Sequence, residues 1–427
     1  MLRLLLLSDI HFLSLYEEMD PDAALRKAFL KDLADYREEN GVIDHVLVCG
    51  DIAFKGSKNE YEAAHKFFEK LCDVVGCKPE EIYIVPGNHD KNFCAPKKEV
   101  RHLINAGLSN ESVDSNSLFI DLLNNDFSQF KSLYQPFKDY QDFAVKMVST
   151  EPLMTKCLDE ENGTVYDNEK DKAYMMTNLK AIDNYPVMLY AMNTSLCSDW
   201  NDVNDFGRGH KLFLPQLSYQ TNADKVGCIN IAMMHHPTSR LVCGKQIANV
   251  LDENFQIQIF GHMHKPVSNI NNAIHIHSGA LQPQQDEDDK SEGYFSIYNI
   301  LELDVISENE ITKLNVQLRV EQYDRDRDVF VEIDSESKRF TLPLKKHVNR
   351  WRKENQPKSK PETLPEGVTE RTVKYKFLQL DNPMSIMKRM RYFYDKGKSH
   401  NKNCLDFLNK VQAEQRILEL WNEINQK

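Results

Sequence analysis

The sequence lacks a long apolar run, a paired-cysteine motif and an internal repeat. None of its apolar stretches approaches the roughly 20 residues that a membrane-spanning helix requires, so no membrane role is expected. The apolar start, Leu2 to Leu7, stops at Asp9 without a small-residue cleavage site, which predicts a core strand rather than a signal peptide. The nine cysteines are an odd set without a CxxC pair, which predicts reduced thiols and a cytoplasmic protein rather than a disulfide framework.

What is present is the composition of a globular protein with a large core. The 427 residues are 41% hydrophobic and 28% charged, enough for two or three domains. The net charge of −12 is unevenly spread, because residues 345–402 hold sixteen Lys and Arg against six Asp and Glu. That stretch carries +10 and the remainder −22, so the main body repels phosphate backbones unless metals or local basic groups invert the field.

Five short polar clusters each follow an apolar run. The runs are Leu2 to Leu7, His45 to Cys49, Ile82 to Val85, Ile229 to Met234 and Phe255 to Phe260. The clusters that follow them are Asp9-Ile10-His11, Gly50-Asp51, Gly87-Asn88-His89-Asp90, His235-His236 and Gly261-His262-Met263-His264. Such runs are typical of strands with both faces covered. Because ligand sites of open α/β sheets collect at strand ends, the pattern predicts that five strands deliver the clusters to one edge of one sheet.

The first two clusters have the chemistry of metal ligands. Asp9 and His11 are alternate residues on an extended strand end and can therefore reach one ion together. Asp51 has two carboxylate oxygens with which to bridge two cations. Gly50 precedes it where a side chain would crowd the site.

The later clusters add neutral donors. Asn88 supplies an amide oxygen, and His262 with His264 can place imidazoles on both ions. No cysteine is in the set, and oxygen and imidazole ligands without thiolate suit Mn²⁺, Fe, Co²⁺ or Zn²⁺.

This ligand set predicts a hydrolase. Two cations about 3.5–4 Å apart can clamp the attacking and leaving oxygens of a phosphoryl displacement, with a bridging hydroxide as the nucleophile. His89 is expected to stabilise a phosphoryl oxygen or protonate the leaving group, and Asp90 to orient His89 or raise its pKa. The second His-x-His, within Ile274 to His277, alternates with isoleucine inside a strand and is expected outside the site.

Two regions lie outside this pattern. Residues 98–182 contain no such cluster and have helical periodicity, which predicts a helical insertion that caps the site, packs as an appendage or mediates self-association. Residues 344–367 have the composition of a basic linker. Helices are predicted from Pro383 to Tyr394 and from Asn403 to Asn425, where an apolar stripe either docks a protein partner or packs on its own chain.

The five clusters resemble the calcineurin-like metallophosphoesterase superfamily, whose pattern is DxH, GD, GNH(D/E), H and GHxH in that order. The resemblance covers residues 1–97 and 183–343, leaving 368–427 as a helical C-terminal extension. It implies an α/β fold, a four-layer α-β-β-α sandwich of two mixed sheets. It also implies two divalent cations, manganese first, with iron, zinc or cobalt as alternatives.

The resemblance also assigns ligands to each cation. For the first cation it implies Asp9, His11, Asp51 and His264. For the second it implies Asp51, Asn88, His262 and one histidine of the 235/236 pair. Members commonly have His-x-Pro at that position, so His235 is the chosen ligand and His236 is expected behind the ligands or facing the substrate.

The sequence leaves two classes of substrate open. The segment from Gly50 to Tyr61 and that from Gly209 to Leu217 resemble class III cyclic nucleotide phosphodiesterases, which implies a nucleotide-type or other small phosphodiester. The long insertion and the basic stretch favour a DNA or RNA nuclease as the alternative, possibly a subunit of a larger assembly.

Overall fold

A computed structural model describes residues 1–13, 22–95, 98–125, 127–148, 174–198, 211–221, 223, 225–282, 295–308, 311–344, 364–365, 368–378, 380, 383–390, 392, 399–413 and 416–424. It divides the chain into two compact units, Met1–Lys346 and His347–Lys427. No helix within these ranges combines the length and apolar character needed to cross a membrane.

The first unit contains strands and helices in alternation. Its strands are β1 (Leu2–Leu7), β2 (His45–Val48), β3 (Ile82–Ile84), β4 (Tyr174–Ile182), β5 (Tyr185–Met192), β6 (Ile229–Met234), β7 (Ile257–Phe260), β8 (Val267–Ile270), β9 (Ile274–His277), β10 (Ile297–Glu308), β11 (Ile311–Asp324), β12 (Val329–Glu332) and β13 (Lys338–Pro343). Its helices are α1 (Ala23–Asn40), α2 (Lys58–Val75), α3 (Lys98–Leu108), α4 (Ser115–Asn125), α5 (Phe127–Tyr134), α6 (Lys138–Val148), α7 (Gln216–Tyr219) and α8 (Gly244–Asn254).

The strands form two mixed sheets. One has the order β12-β11-β10-β1-β2-β3, with β13 paired to β11, and the other has the order β4-β5-β6-β7-β9-β8. In the first sheet β1 runs parallel to β2 and antiparallel to β10. In the second, β5, β6 and β7 are parallel.

The prediction that all five ligand-bearing strands share one sheet is wrong. Strands β1, β2 and β3 lie in the first sheet, whereas β6 and β7 lie in the second. The long antiparallel strand β10 pairs directly with β1. An apolar run identifies a buried strand but not the strand that pairs with it. The sequence pattern therefore did not show that the five strands are divided between two sheets.

Apolar side chains on both faces of the sheets define four layers. Leu5 of β1 packs outwards with Phe29 of α1, while its neighbour Leu4 packs inwards in one cluster with Ile231 of β6. On the far side, Leu251 of α8 belongs to the cluster that covers the second sheet. The predicted α-β-β-α sandwich is confirmed, and burial of both faces explains why the strand sequences are apolar without alternation.

The first part of the predicted insertion is helical, from α3 to α6. Helices α3, α4 and α5 share an apolar cluster with Leu196 and Phe213, whereas α6 packs through Phe143 into the outer core of the first sheet. Residues 149–173 lie outside the described residues. Residues Tyr174–Ile182, expected inside the insertion, form edge strand β4, whose described side chains are fully buried only at Leu179 and Ile182. An edge strand with so few buried positions has a weak sequence pattern.

The second unit is helical. It contains α9 (Glu370–Leu378), α10 (Pro383–Arg389), α11 (His400–Ala413) and α12 (Ile417–Ile424), so the single helix expected over 403–425 is interrupted. Leu408 and Val411 lie in this unit's own apolar core, whereas Leu405 is 50% exposed. Most of the predicted linker 344–367 lies outside the described residues.

Candidate metal centre

Metal-binding side chains from both sheets meet at one place. Ligand atoms lie within 4.8 Å of one another in four overlapping groups. The groups are Asp9 with His11 and His264, His11 with Asp51 and His89, Asp9 with Asp51 and His235, and His235 with His236 and His262. Residues that follow β1, β2 and β3 therefore face residues that follow β6 and β7. The site lies on the seam between the sheets.

Asp9 is at the centre of one half of the cluster. Its Oδ1 lies 3.1 Å from His264 Nε2 and 3.9 Å from His11 Nε2. Its Oδ2 accepts hydrogen bonds from the backbone N–H of His262, at 3.1 Å, and from the Ser8 hydroxyl. Burial would raise the pKa of Asp9, but the adjacent His264 holds it well below its usual range. Asp9 is therefore held as a carboxylate.

His235, Asp51 and Asn88 form the other half. The Nδ1 of His235 lies 2.6 Å from the carbonyl oxygen of Cys49, and because a carbonyl only accepts, Nδ1 carries the proton. Its Nε2 lies 3.2 Å from Asn88 Oδ1 and 3.3 Å from Asp51 Oδ2. Three atoms that can each offer a lone pair converge here, an arrangement that suits a positive charge between them.

In this half of the cluster, the protonation states of His235 and Asp51 depend on each other. Burial lowers the pKa of His235, but the carboxylates of Asp51 and Asp9 outweigh burial and raise it to about 9. Burial would raise the pKa of Asp51, but His235 and His89 hold it well below its usual range. The carboxylates thus stabilise a positive charge at this point. When no cation is bound there, a proton on His235 supplies that charge.

The donor set passes a test of fit for metal ions. His11 is 5% exposed, and within the described part of the chain neither of its ring nitrogens has a hydrogen-bond partner. The Nε2 of the buried His236 likewise has none, while its Nδ1 lies 3.1 Å from Thr194 Oγ1. Burial lowers the pKa of His11 to about 3, so the ring is neutral and one of its nitrogens offers a lone pair to a cation. Buried polar atoms without partners are rare, and a bound cation would take up the lone pair of His11.

The backbone at the cluster is strained. In the described ranges eight non-glycine residues have positive φ, and five of them belong to the predicted ligand set: Asp9, His11, Asp51, His262 and His264, at +51° to +68°. Each such residue costs of order 1–3 kcal/mol and persists only where the surrounding structure enforces it. The turns after the strands are thus bent to direct side chains into the seam.

Two glycines allow the loops to approach each other. At Gly50, with φ of +94°, a Cβ would lie 2.6 Å from His235 Nδ1. At Gly261 a Cβ would lie 2.1 Å from Ser8 Oγ and 2.7 Å from the Cys49 carbonyl oxygen. Both positions therefore exclude any side chain.

The ring of His89 is fixed beside the cluster. Its Nδ1 donates to the carbonyl of Phe54 at 2.9 Å, and the ring stacks on Phe54 with centroids 5.4 Å apart. Its backbone N–H donates to Asp51 Oδ1 at 2.8 Å. The hydrogen bond predicted from Asp90 is thus made by the Phe54 carbonyl.

Asp90 instead organises the loops below the cluster. Its carboxylate accepts hydrogen bonds from the backbone N–H groups of Ile52, Ala53 and Gly87 at 2.9–3.2 Å, and from the hydroxyl of Tyr61 at 3.0 Å. The expectation that Asp90 orients His89 directly is corrected accordingly. Asp90 ties the loop that carries Asp51 to the loop that carries Asn88.

Replacing Tyr61 with phenylalanine is expected to loosen this connection. The change removes the hydroxyl donor from a buried carboxylate, which costs about 1.5–3 kcal/mol for a hydrogen bond to a charged group. Urea denaturation of Tyr61→Phe measures the loss of unfolding free energy, with Tyr323→Phe, whose hydroxyl contacts Asp328 in an exposed turn, as the control. Equal stability of Tyr61→Phe and the native chain would contradict the role given to Asp90.

The structure also brings in groups that the sequence pattern did not single out. Thr194 holds His236, Ser8 holds Asp9, and the carbonyls of Cys49 and Phe54 orient two histidines. Serine, threonine and main-chain carbonyls occur everywhere in sequences and give no local signal.

The second His-x-His lies elsewhere. His275 contacts Asp252 of α8 at 2.8 Å, in agreement with its expected exclusion from the cluster.

No curated protein matches this chain. Solved structures that match include a single mutant of Vps29 from Entamoeba histolytica, at 12% identity over 80% of this chain and 99% of that chain, with a TM-score of 0.29. Vps29 from Chaetomium thermophilum has 9% identity over 81% and 100%, with a TM-score of 0.33. Purple acid phosphatase PPD1 from seeds of yellow lupin (Lupinus luteus) has 10% identity over 82% and 54%, with a TM-score of 0.37.

A family-level comparison covers more than half of the sequence. The family model for calcineurin-like phosphoesterases matches residues 2–266, a span that includes every predicted ligand from Asp9 to His264. The chain therefore belongs to the calcineurin-like phosphoesterase family.

Proposed function

We propose that this chain is a phosphodiesterase that depends on two divalent cations and acts on nucleotide-type or other small phosphodiesters. The observation that carries the proposal is the meeting of carboxylate, amide and imidazole ligand atoms from both sheets, around a buried His11 ring that has no hydrogen-bond partner among the described residues. Family membership supports the coarser conclusion, a metal-dependent phosphoester hydrolase.

The ligand roles follow the two halves of the cluster. In this proposal Asp9, His11 and His264 hold one cation, Asn88, His235 and His262 hold the other, and Asp51 serves both. Bound there, the cations would supply an activated water molecule and offset the negative charge of the phosphate. Manganese is the proposed metal, with iron, zinc or cobalt as alternatives, because the ligands are oxygens and imidazoles without thiolate.

His89 is proposed to act on the substrate itself. One of its ring nitrogens lies within 4.8 Å of ligand atoms of His11 and Asp51. Because Nδ1 donates to Phe54, the ring plane is fixed, and Nε2 is proposed to stabilise a phosphoryl oxygen or to protonate the leaving oxygen. His236, held by Thr194, is proposed to face the substrate.

A nuclease is the second candidate. The observation that favours it is the net charge of +10 over residues 345–402, which suits a nucleic-acid backbone. A cytoplasmic location is proposed for either activity, since the eight cysteines of the described ranges are free thiols.

Hydrolysis by protein of known metal content tests the proposal. Bis(p-nitrophenyl) phosphate, 2′,3′- and 3′,5′-cyclic nucleotides, DNA and RNA are compared. We expect turnover of small diesters that is lost on chelation and restored by Mn²⁺. Cleavage confined to DNA or RNA strands would favour the nuclease, and failure of the metal-loaded protein on every diester would refute both.

A further inference from the structure

A groove between α1 and α2 opens beside the metal centre. It encloses about 410 Å³, and the metal-centre residue His11 lines it together with Phe12 and residues from both helices. Neither the ligand assignment nor the role of His89 uses this groove. Its contact with His11 places any molecule bound in it next to the proposed site of hydrolysis.

The two helices line the groove with the same sequence spacing. From α1 come Ala23, Arg26, Lys27 and Leu30, and from α2 come Ala63, Lys66, Phe67 and Lys70. Both sets have the spacing i, i+3, i+4, i+7 of a single helix face. Each face combines a small alanine with two cationic side chains, so the groove has room and positive charge at once.

The described lining of the groove is positively charged, opposite in sign to the whole chain. Its described lining includes four cations and a single carboxylate, Asp22, in a protein of net charge −12. Burial lowers the pKa of Arg26 only to about 10, so the guanidinium stays charged at neutral pH. Arg26 is held by a hydrogen bond to Gln282 Oε1 at 2.9 Å and by the face of Phe12, 5.3 Å away.

The floor of the groove is apolar and aromatic. Phe12 and Phe67 are buried, and their ring centroids are 5.4 Å apart. A cavity with an apolar floor and a cationic rim suits a ligand that has both a ring or sugar and a phosphate. A simple inorganic anion would use only the rim.

We propose that this groove binds a second phosphate of the substrate, so that the preferred substrate is a nucleotide-type phosphodiester that carries at least one further phosphate group. The inference rests on the proposed function, since it assumes that the diester to be cleaved lies at the metal centre next to His11. It narrows the substrate class from diesters in general to those with two or more phosphates.

Dinucleotides with and without an extra phosphate provide the test. We expect kcat/KM for 5′- or 3′-phosphorylated thymidine dinucleotide, pTpT or TpTp, to exceed that for TpT by about tenfold, the scale of one charge-assisted hydrogen bond. The double variant Lys66→Gln/Lys70→Gln is expected to lose this preference because its KM for pTpT and TpTp rises. Its turnover of TpT and bis(p-nitrophenyl) phosphate stays unchanged. Lys66→Arg/Lys70→Arg should keep the preference, and Lys58→Gln, an exposed change on the same helix, should leave all rates alone.

The outcomes separate the two proposals. No preference for pTpT or TpTp in the native protein, or an equal loss on all substrates in the double variant, overturns the groove assignment while the phosphodiesterase stands. If no diester is cleaved at all, calorimetric titration of the native protein and the double variant with thymidine 3′,5′-bisphosphate still tests whether the groove binds phosphate. An increase in Kd of about tenfold in the double variant supports it, and an unchanged Kd overturns it.

Discussion

Replacing Asp51 with asparagine is expected to remove bound metal and activity together. The Oδ1 of Asp51 accepts the backbone N–H of His89 and its Oδ2 faces His235, so both oxygens are committed. An asparagine offers only one oxygen and no charge. If the lost charge stabilisation amounts to several kcal/mol, kcat falls by about 10³-fold or more.

Metal analysis, kinetics and melting of Asp51→Asn measure this effect. In the native chain, Mn²⁺ at about 100 times its Kd should stabilise the fold by about 2.7 kcal/mol, because it binds the folded state alone. The variant should show little such stabilisation. Asp73→Asn, an exposed change on α2, is the matched control. Full metal content in Asp51→Asn would show that Asp51 does not serve both cations.

Replacing His89 with asparagine is expected to give the opposite combination, metals retained and turnover lost. The ring is held by the Phe54 carbonyl, and the backbone N–H, which asparagine keeps, donates to Asp51 Oδ1. Loss of a positioned acid or charge stabiliser lowers turnover by roughly 10²–10⁴-fold.

Elemental analysis decides between this role and that of a ligand. His89 shares a ligand group with His11 and Asp51, so direct coordination is the competing assignment. Depletion of one cation in His89→Asn would establish coordination and contradict our assignment. His65→Asn, on the solvent side of α2, is the control for a general effect of histidine replacement.

The buried strands and the side chains at the site could be predicted because both depend on local patterns, whereas the four layers were implied by the family resemblance. A strand buried on both faces, such as Leu2–Leu7, is apolar throughout, and the polar residues that interrupt such strands stand out. The structure brings together Asp9, Asp51, His235 and the other predicted ligands, and their ligand roles stay predictions.

The parts that were missed depend on long-range pairing or on the main chain. The place of β10 beside β1 is set by partners almost 300 residues apart, which no local pattern encodes. Strand β4 lies at an edge and has few buried side chains. The orientation of His89 comes from a backbone carbonyl, which every residue possesses, rather than from the carboxylate next to it in sequence.

The position of the cluster on the seam between the two sheets also bears on the order in which the chain folds and binds metal. Asn88 and His235 are 147 residues apart in sequence, and each arrives on a different sheet. A chain in which only the first sheet has formed has half a site, so tight metal capture must await docking of the second sheet. Contacts over such separations form slowly, because closing the intervening chain costs entropy before any contact is gained. A bound cation would then act as a cross-link between the two halves of the sandwich, and metal uptake would mark the end of folding rather than its beginning.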